Sequence, residues 1–428
     1  MNEYSDTIAE LYGLQQFSIK MGLENITALC KQLNNPQLAY PTIHIAGTNG
    51  KGSTAYILQK ILSAFNLKTG LYISPHLIDF RERIRINGNL INKDHVCRIW
   101  NKLKQHVYSL QATFFDTTTA IALDFFKQEK VDIAIIETGL GGRLDSTNII
   151  TPLAVLITPI DIDHSKQLGT DLKEITKEKA GIIKNDVNLF IGRQRYEVYK
   201  VLKKYAGIPK KTFYLEDLVT IENTRLHPDY SIFNFFDQLN NEYFKNIHIN
   251  MASSFQIDNT LLAYLAGRWY LQSVNIPFSI TTFSKVMENI YWPGRLDKVS
   301  SDPDIYLDVS HNEAGFKNTL TFIKKVFKKK SLHLLIGLLE DKDYKSIVKL
   351  LTKNFTTIVI TEPLSHRALK GQILKNEFSQ YGIKVKLIKD LQKAFDFSIK
   401  SLRKEDKLLV IGSHFLVGGL LEKFHKKS

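Results

Sequence analysis

The chain has 428 residues, of which 44% are hydrophobic and 23% are charged, and its formal net charge is +14. This composition is typical of a globular protein, and the length exceeds what one ordinary core holds, so we expect two domains. The two cysteines, Cys30 and Cys97, are far apart in the sequence, which excludes a disulfide framework and a cysteine-based zinc site.

Hydropathy and charge also limit the partners and the compartment. No run of about 18 apolar residues occurs, so neither a transmembrane helix nor a membrane partner is expected. The first residues are polar and acidic, unlike a secretory leader, and the cytoplasm is the expected compartment. The lysine-rich run at 324–330 is typical of a solvated helix end, so the basic excess indicates small polyanionic substrates and no nucleic-acid partner.

A strand, a glycine-rich turn and a helix follow the first predicted helices. Apolar spacing predicts helices over 5–35, with a break at 21–23. An apolar run at 41–46 then predicts a buried parallel strand, and residues 55–62 have helical spacing. The glycines between them direct backbone N–H groups and the positive end of a helix dipole to one point, which predicts a polyphosphate site.

The turn is a variant of the phosphate-binding loop. Lys51 supplies a mobile positive charge, and Ser53 or Thr54 can offer a hydroxyl to phosphate or Mg²⁺. The spacing departs from G-x-x-x-x-G-K-[ST], because Ile45 stands at the first glycine position and Gly52 follows the lysine.

Polar side chains stand at the ends of predicted strands that follow. These strands and their polar ends are 68–73 with Ser74, 131–136 with Glu137, and 154–158 with Asp163 and His164. The carboxyl ends of parallel strands meet at one edge, which is the ligand edge of a doubly wound sheet. A buried carboxylate at such an edge requires a cation. We therefore expect Ser74, Glu137 and His164 to converge on a Mg²⁺ site.

Helical patterns occur between and after these strands. Residues 114–119 look like an N-cap cluster that precedes an apolar helix at 120–126. Another helix is predicted over 173–184, in which the spacing alone places Lys179 on the surface as a salt-bridge lysine. Weak strand signals and a clear helix at 256–271 complete this half of the chain.

A turn-rich segment at 291–297 separates two α/β units. The strands predicted after it, alternating with helices, are 305–309, 331–337, 356–361, 385–388 and 407–412. This alternation predicts a mainly parallel sheet with right-handed crossovers. The expected organisation is an N-terminal domain at 1–290, a linker at 291–297 and a smaller C-terminal α/β domain at 298–428.

Seven motifs occur in order along nearly the whole chain. They are HIAGTNGKGS at 44–53, SPHL at 74–77, ETGLGGRLDSTN at 137–148, DH at 163–164, EKAGI at 178–182, WPGR at 292–295 and DVSHN at 308–312. Together they resemble the motifs of folylpolyglutamate synthase and bifunctional dihydrofolate synthase, in the Mur ligase superfamily. The resemblance implies an α/β, Mur-ligase-like fold, with an N-terminal P-loop ATPase domain on a mainly parallel sheet and a smaller C-terminal Rossmann-like domain.

The resemblance also implies roles for individual residues. Those implied to bind ATP are Thr48, Asn49, Gly50, Lys51, Gly52, Ser53, Asn259, Arg295 and Asp308. Those implied to hold Mg²⁺, at two sites, are Ser74, Glu137, His164 and a carbamylated Lys179. Those implied to line a pterin pocket are Phe115, Asp116, Leu144, Asp145 and Ser146, together with residues 13–16. The implied catalytic residues are Lys51, Lys179 and His311.

The activity implied by the resemblance is an ATP-dependent ligation, and a monomer is the default expectation for the oligomeric state. The ligation joins L-glutamate to the carboxylate of dihydropteroate, of a reduced folate, or of both, through an acyl phosphate. The chain departs from the family pattern at Glu313, where proline is usual, and at Thr260, where alanine is usual. Two alternatives are a Mur-type ligase acting on UDP-muramyl peptides and a nucleic-acid-binding P-loop ATPase. The turn at 49–52 argues against the first, and the lack of a nucleic-acid-binding motif argues against the second.

Overall fold

The structure is a computed structural model that describes residues 3–14, 22–205, 207–327, 332–352 and 354–425. The predictions that fall on Gln15, Gln16, Met21, the lysines at 328–330 and Ser331 lie outside these residues. Among the described residues, none of the helices combines the length and the apolar character that a membrane span requires.

The first sheet carries the glycine-rich turn on its central strand. Its strands are β1 (Thr42–Ala46), β2 (Thr69–Tyr72), β3 (Ile84–Ile86), β4 (Asn89–Leu90), β5 (Ile133–Glu137), β6 (Ala154–Ile157), β7 (Asn188–Ile191) and β8 (Lys211–Tyr214). They lie in the order β4-β3-β2-β5-β1-β6-β7-β8. All pairs from β2 to β8 are parallel, whereas β3 and β4 are added antiparallel at one edge. Strand β1 is buried along its whole length, as the apolar run predicts.

Helices cover both faces of this sheet. They are α1 (Glu3–Gly13), α2 (Glu24–Gln32), α3 (Lys51–Ala64), α4 (Lys93–Leu110), α5 (Phe114–Gln128), α6 (Ser165–Leu168), α7 (Leu172–Ala180), α8 (Tyr196–Leu202), α9 (Leu215–Leu218), α10 (Ser254–Ser273) and α11 (Ile280–Glu288). Alternate residues of β5 divide between two cores, because successive side chains of a strand point to opposite faces. Ile133 and Ile135 pack with α3 and α10, while Ala134 and Ile136 pack with α2, α4 and α5.

A small antiparallel sheet closes the outer side of α10. Its strands are β9 (Val219–Leu226), β10 (Ser231–Asp237) and β11 (Glu242–Ile249), in the order β11-β10-β9. Phe235 and Phe244 are buried against Tyr264 of α10, and Phe233 packs against Phe235. This layer holds α10 in place, and α10 in turn packs on α3, the helix that follows the glycine-rich turn.

The C-terminal lobe, defined here as the third sheet with its helices, is a second α/β unit. Its strands are β12 (Arg295–Ser301), β13 (Asp304–Asp308), β14 (Leu332–Ile336), β15 (Thr357–Ile360), β16 (Lys386–Leu387) and β17 (Lys407–Ile411). Its helices are α12 (Glu313–Val326), α13 (Tyr344–Leu351), α14 (Gly371–Gln380), α15 (Leu391–Lys400) and α16 (His414–His425). The order is β12-β13-β17-β14-β15-β16, parallel except for β12. The predicted mainly parallel sheets are confirmed in both units.

Some predicted helix limits were wrong, and local capping explains the largest difference. Helix α5 begins at Phe114 instead of 120, because Thr113 and Asp116 form a capping box in which each side chain accepts the other's backbone N–H. Helix α3 begins at Lys51 instead of 55. Helix α7 ends at Ala180, four residues before the predicted end, and Gly181 follows it.

Candidate active site

The glycine-rich turn forms a cradle of backbone donors at the start of α3. Gly50 occupies the helix N-cap position in the left-handed conformation (φ 86°), and no side chain caps the helix there. A Cβ on Gly50 would lie 2.4 Å from Oδ1 of Asn259, so the cradle accepts only glycine without displacement. The N–H groups of Thr48 and Asn49 donate to the carbonyl of Pro159 and fix the turn against β6. The first N–H groups of α3 have no partner within the helix, which is the arrangement that binds phosphate.

Lys51, Glu137 and Ser74 lie together beside this cradle. Glu137 ends β5 and is 3% exposed, with one carboxylate oxygen 3.8 Å from Nζ of Lys51. The backbone N–H of Ser74 donates to the other oxygen at 3.1 Å. Burial raises the pKa of Glu137, and the nearby Lys51 charge opposes that shift. The predicted convergence of these strand ends is observed for Ser74 and Glu137.

Lys179 lies inside the protein, so its predicted surface position was wrong. Its side chain is 5% exposed, and Nζ donates to the carbonyl oxygen of Gly47 at 2.8 Å. The reason is the packing of α7 against the glycine-rich segment after β5, where a Cβ on Gly142 would lie 2.7 Å from the Glu178 carbonyl. Burial lowers the pKa of Lys179 to about 7, and the charge of Lys51 contributes in the same direction.

The residues predicted for the pterin pocket lie around the glycine-rich segment at 138–143. Asp145 is buried and accepts hydrogen bonds from the N–H groups of Leu140 and Thr147, at 2.7 and 3.0 Å. The hydroxyl of Ser146 donates to Asp116 at 2.5 Å. The Phe115 ring occupies the space beside Gly139, where a Cβ would lie 2.3 Å from the ring. Gly13 is exposed, and Leu144 is half-buried beside Asp145.

The nucleotide residues predicted farther along the chain come from α10 and from the third sheet. Asn259 is buried on α10 and faces Gly50 through Oδ1. Asp308 is buried at the end of β13 and accepts from Ser310 and from Thr319, the latter at 2.6 Å. Arg295 begins β12, in register with Asp308. Burial raises the pKa of Glu137, and the charge of the Arg295 guanidinium opposes that rise, so the third sheet reaches the same cleft.

A polar cluster joins the two sheets at this cleft. Asp163 accepts hydrogen bonds from Nζ of Lys342 at 2.7 Å and from Nδ2 of Asn312 at 3.0 Å. Its carboxylate also lies 3.4 Å from Nε2 of His311. Burial alone would raise the pKa of Asp163, but His311 and Lys342 hold it well below the usual range. Asn312 also exchanges hydrogen bonds with Asn49 of the turn. Asp163 and Asn312 belong to motifs of the sequence, but neither they nor Lys342 were predicted to join the two sheets.

The donor chemistry at the cleft fits a hard divalent cation. Glu137 supplies a carboxylate and Ser74 a hydroxyl, which suit Mg²⁺ and its waters. Burial lowers the pKa of His164 to about 4, so its imidazole is neutral and has a lone pair available. Among the described residues, no group of three or more His, Cys, Asp or Glu side chains could hold a metal ion by itself. The set therefore needs other oxygen ligands, such as the nucleotide phosphates and water.

Comparisons with known proteins identify the family. Family models match at residues 45–267, for the Mur ligase middle domain, and at 294–414, for the Mur ligase glutamate ligase domain. The chain is 33% identical over 354 residues to dihydrofolate synthase/folylpolyglutamate synthase of Bacillus subtilis, covering 81% of this chain and 82% of that protein. The chain belongs to the folylpolyglutamate synthase family of Mur ligases.

Other members of the folylpolyglutamate synthase family support this assignment. The chain is 31% identical over 375 residues to folylpolyglutamate synthase of Lacticaseibacillus casei, covering 86% and 87% of the two chains. Folylpolyglutamate synthase of Mycobacterium tuberculosis, complexed with ADP and AMPPCP, superposes with a TM-score of 0.89 at 27% identity over 99% of each chain. FolC of E. coli, in complex with DHPP and ADP, gives a TM-score of 0.87 at 26% identity over 98% of each chain. This chain is an ATP-dependent ligase with the Mur-ligase-like fold, as its motifs predict.

Proposed function

We propose that this chain forms an amide between the amine of L-glutamate and the carboxylate of dihydropteroate, of a reduced folate, or of both. The observation that carries the proposal is the common cleft, where the phosphate cradle and the buried Glu137 meet Arg295 and His311 of the C-terminal lobe. The DHPP and ADP bound by the similar E. coli protein support the substrate class.

The chemistry requires activation, because a carboxylate is a poor electrophile in water. A carboxylate oxygen of the folate substrate attacks the γ-phosphorus of ATP, and the bond from that phosphorus to the bridging oxygen of ADP breaks. The glutamate amine then attacks the carbonyl carbon of the acyl phosphate and loses a proton. The carbon–oxygen bond to phosphate breaks, and inorganic phosphate leaves.

The side chains of the cleft position the reactants and neutralise their charge. The first N–H groups of α3 and the Lys51 ammonium bind the transferring phosphoryl group from one side, and Arg295 binds it from the other. Nδ1 of His311 lies 2.9 Å from the Val309 carbonyl oxygen, which accepts a hydrogen bond from this nitrogen. Nε2 of His311 therefore faces the cleft and Asp163. These contacts hold the phosphates between the two lobes and exclude water from the acyl phosphate.

We further propose that Glu137, Ser74 and His164 hold one Mg²⁺ and that Lys179 helps to hold a second. When bound, Mg²⁺ supplies charge neutralisation at the phosphates. A neutral Lys179 amine can add CO₂ and release a proton to give a carbamate, which has the oxygen ligands that an ammonium lacks. A pKa of about 7 for Lys179 makes the neutral amine abundant at neutral pH, and this supports the assignment.

The domain limits and the oligomeric state belong to the same proposal. We assign an N-terminal domain at 1–290, a linker at 291–297 and a C-terminal domain at 298–428, in a monomer. The last three residues of this linker, 295–297, already pair with β13 as the start of β12. Within the linker, Trp292 stacks on Tyr56 of α3 at a ring distance of 4.3 Å, which would fix the linker to the nucleotide side. Limited proteolysis and sedimentation equilibrium test these two assignments.

The direct test is a ligation assay with purified protein, ATP, Mg²⁺ and labelled L-glutamate, run in parallel with dihydropteroate and with tetrahydrofolate. Glutamylated product with at least one acceptor is expected, with ADP formed in equal amount. The control variant Lys51→Met should abolish product formation with both acceptors, because it removes the positive charge that neutralises the transferring phosphoryl group. Product formation from a UDP-muramyl peptide, and from neither pterin, would overturn the proposal.

A further inference from the structure

The contact between Asp163 and Lys342 is unusual because both members are buried and come from different lobes. Asp163 lies on the loop after β6 of the first sheet, and Lys342 lies on the loop after β14 of the third. Their side chains are 8% and 4% exposed, and the nitrogen–oxygen distance is 2.7 Å. Burying two charges is unfavourable unless each is paired, so separation of the lobes deprives each buried charge of its shortest ion pair.

Further contacts tie the pair to the phosphate cradle. The second oxygen of Asp163 accepts from Asn312, whose side chain also exchanges hydrogen bonds with Asn49. Oδ1 of Asn312 accepts the N–H of Gly315 and so caps α12. One carboxylate of the first lobe therefore fixes the start of a helix of the second lobe against the nucleotide turn.

Lys342 is also held from the side of its own lobe. Asp341 lies 3.6 Å from the Lys342 ammonium and 2.7 Å from the guanidinium of Arg367. These charges alternate in sign along a row from Asp163 to Arg367. The lysine is thus directed at the carboxylate of the other lobe, and its position depends on both lobes being in contact.

We propose that Asp163 and Lys342 form an interlobe clasp, which holds the C-terminal lobe closed over the phosphate cradle and makes Lys342 a positioning residue. The clasp places His311 and the cap of α12 at the cleft, and its opening admits substrates and releases products. This inference deepens the ligase function proposed above and rests on it for its kinetic readout. Lys342 acts through Asp163, the partner of its ammonium.

The test compares Lys342→Met, Asp163→Asn and the double variant, with Lys317→Met as the matched control. Lys317 belongs to the same lobe but is exposed and pairs with Glu313 on its own helix. Small-angle scattering without nucleotide or Mg²⁺ should give a larger radius of gyration for both single variants than for wild type and the control. The kcat/KM for glutamate should fall about a hundredfold in each single variant, as expected when one member of a buried pair is removed.

The double variant distinguishes a clasp from a direct nucleotide contact. If Lys342 acts through Asp163, adding Lys342→Met to Asp163→Asn has little further effect on the radius of gyration or on the affinity for ADP. If Lys342 binds phosphate itself, ADP affinity falls to the same degree in both backgrounds, and the proposal is overturned. A single variant whose scattering matches wild type also overturns it. The double variant leaves no unpaired charge, so it remains informative if a single variant does not fold.

Scattering and ADP binding separate this inference from the proposed function. A wild-type protein without ligase activity on either pterin, but with the expected changes in radius, would remove the function and leave the clasp. Normal ligation by the wild-type protein, with an unchanged radius of gyration in both single variants, would remove the clasp and leave the proposed function.

Discussion

The ammonium nitrogen of Lys179 donates a hydrogen bond to the carbonyl oxygen of Gly47, at 2.8 Å, from beneath the phosphate cradle. A buried lysine whose ammonium donates to a backbone carbonyl is costly in its charged form, and burial lowers its pKa to about 7. The neutral amine is therefore readily formed beside the glycine-rich turn. This relationship links the fold to the chemistry that we propose.

Replacement of Lys179 by alanine should abolish turnover and leave the fold intact. The proposed carbamate supplies metal ligands that alanine lacks, so kcat should fall by at least ~100-fold. Short carboxylates added to the assay should restore part of the activity. The matched control is Lys177→Ala, on the same helix but exposed and paired with Glu174. Activity equal to wild type in Lys179→Ala, with an unchanged thermal midpoint, would contradict the carbamate role.

The pKa of Lys179 also predicts the pH dependence of carbamate formation. Below about 7 the ammonium predominates, so the reactive amine decreases about tenfold for each further pH unit. Carbon NMR with labelled bicarbonate should show a carbamate signal that is lost as the pH falls below this value and is absent from Lys179→Ala. A signal that is constant from pH 5 to pH 8 would contradict the assignment.

The lowered pKa of Lys179 also predicts how this residue's contribution to the free energy of unfolding changes with pH. The folded pKa lies below the unfolded value of about 10.4, so the unfolded chain binds more protons between these two values. In the absence of CO₂, the contribution of Lys179 to the free energy of unfolding should therefore rise as the pH rises from about 7 to about 10. Denaturant titrations of wild type and Lys179→Ala measure this difference.

Replacement of Gly50 by alanine should weaken nucleotide binding more than it weakens the fold. The added Cβ would lie 2.4 Å from Oδ1 of Asn259, and the left-handed backbone disfavours alanine by ~1 kcal/mol. Gly382→Ala is the control, because it has a similar backbone angle (φ 71°) but no atom within 4 Å of the new Cβ. We expect ADP affinity by calorimetry to fall at least about tenfold in Gly50→Ala only. Equal ADP affinities in the two variants would refute the role of the cradle in nucleotide binding.

Replacement of Asp145 by asparagine should affect the pterin substrate and spare ATP. One Asp145 oxygen accepts from Leu140 and the other from Thr147, so an amide NH₂ must face a donor on one side. The loss of one buried acceptor costs ~1–3 kcal/mol and loosens the segment at 138–143. We expect the KM for dihydropteroate to rise about tenfold, with the KM for ATP unchanged. Asp6→Asn, on the exposed face of α1, is the control; equal rises in both KM values would show a general loss of structure.

The strand ends and the glycine-rich turn were predictable because their signals are local. An apolar run that ends in a polar residue specifies a buried strand and its ligand edge, and it placed Ser74 and Glu137 beside Lys51. Local spacing does not tell which face of a short amphipathic helix is covered. Lys179 was therefore predicted on the surface, although the segment around Gly142 packs over it.

The contact between the lobes could not be predicted from local patterns. Asp163 and Lys342 are 179 residues apart and meet only because two separate sheets direct their carboxyl ends to one cleft. Asp163 was predicted at the ligand edge as a polar strand end, but its partner was not predicted. Lys342 carries no periodic or capping signal that distinguishes it from an exposed loop residue. The early start of α5 is a different case, because the reciprocal Thr113–Asp116 cap is visible in the sequence as T-x-x-D and extends the helix beyond its apolar run.

The central claim is that the folate carboxylate is phosphorylated before glutamate attacks it. Ligation of dihydropteroate labelled with ¹⁸O in both carboxylate oxygens, followed by mass analysis of the released phosphate, tests this claim most directly. An acyl phosphate intermediate predicts that each phosphate carries one ¹⁸O atom from the substrate. Phosphate without ¹⁸O, released in equal amount with the amide product, would contradict the account.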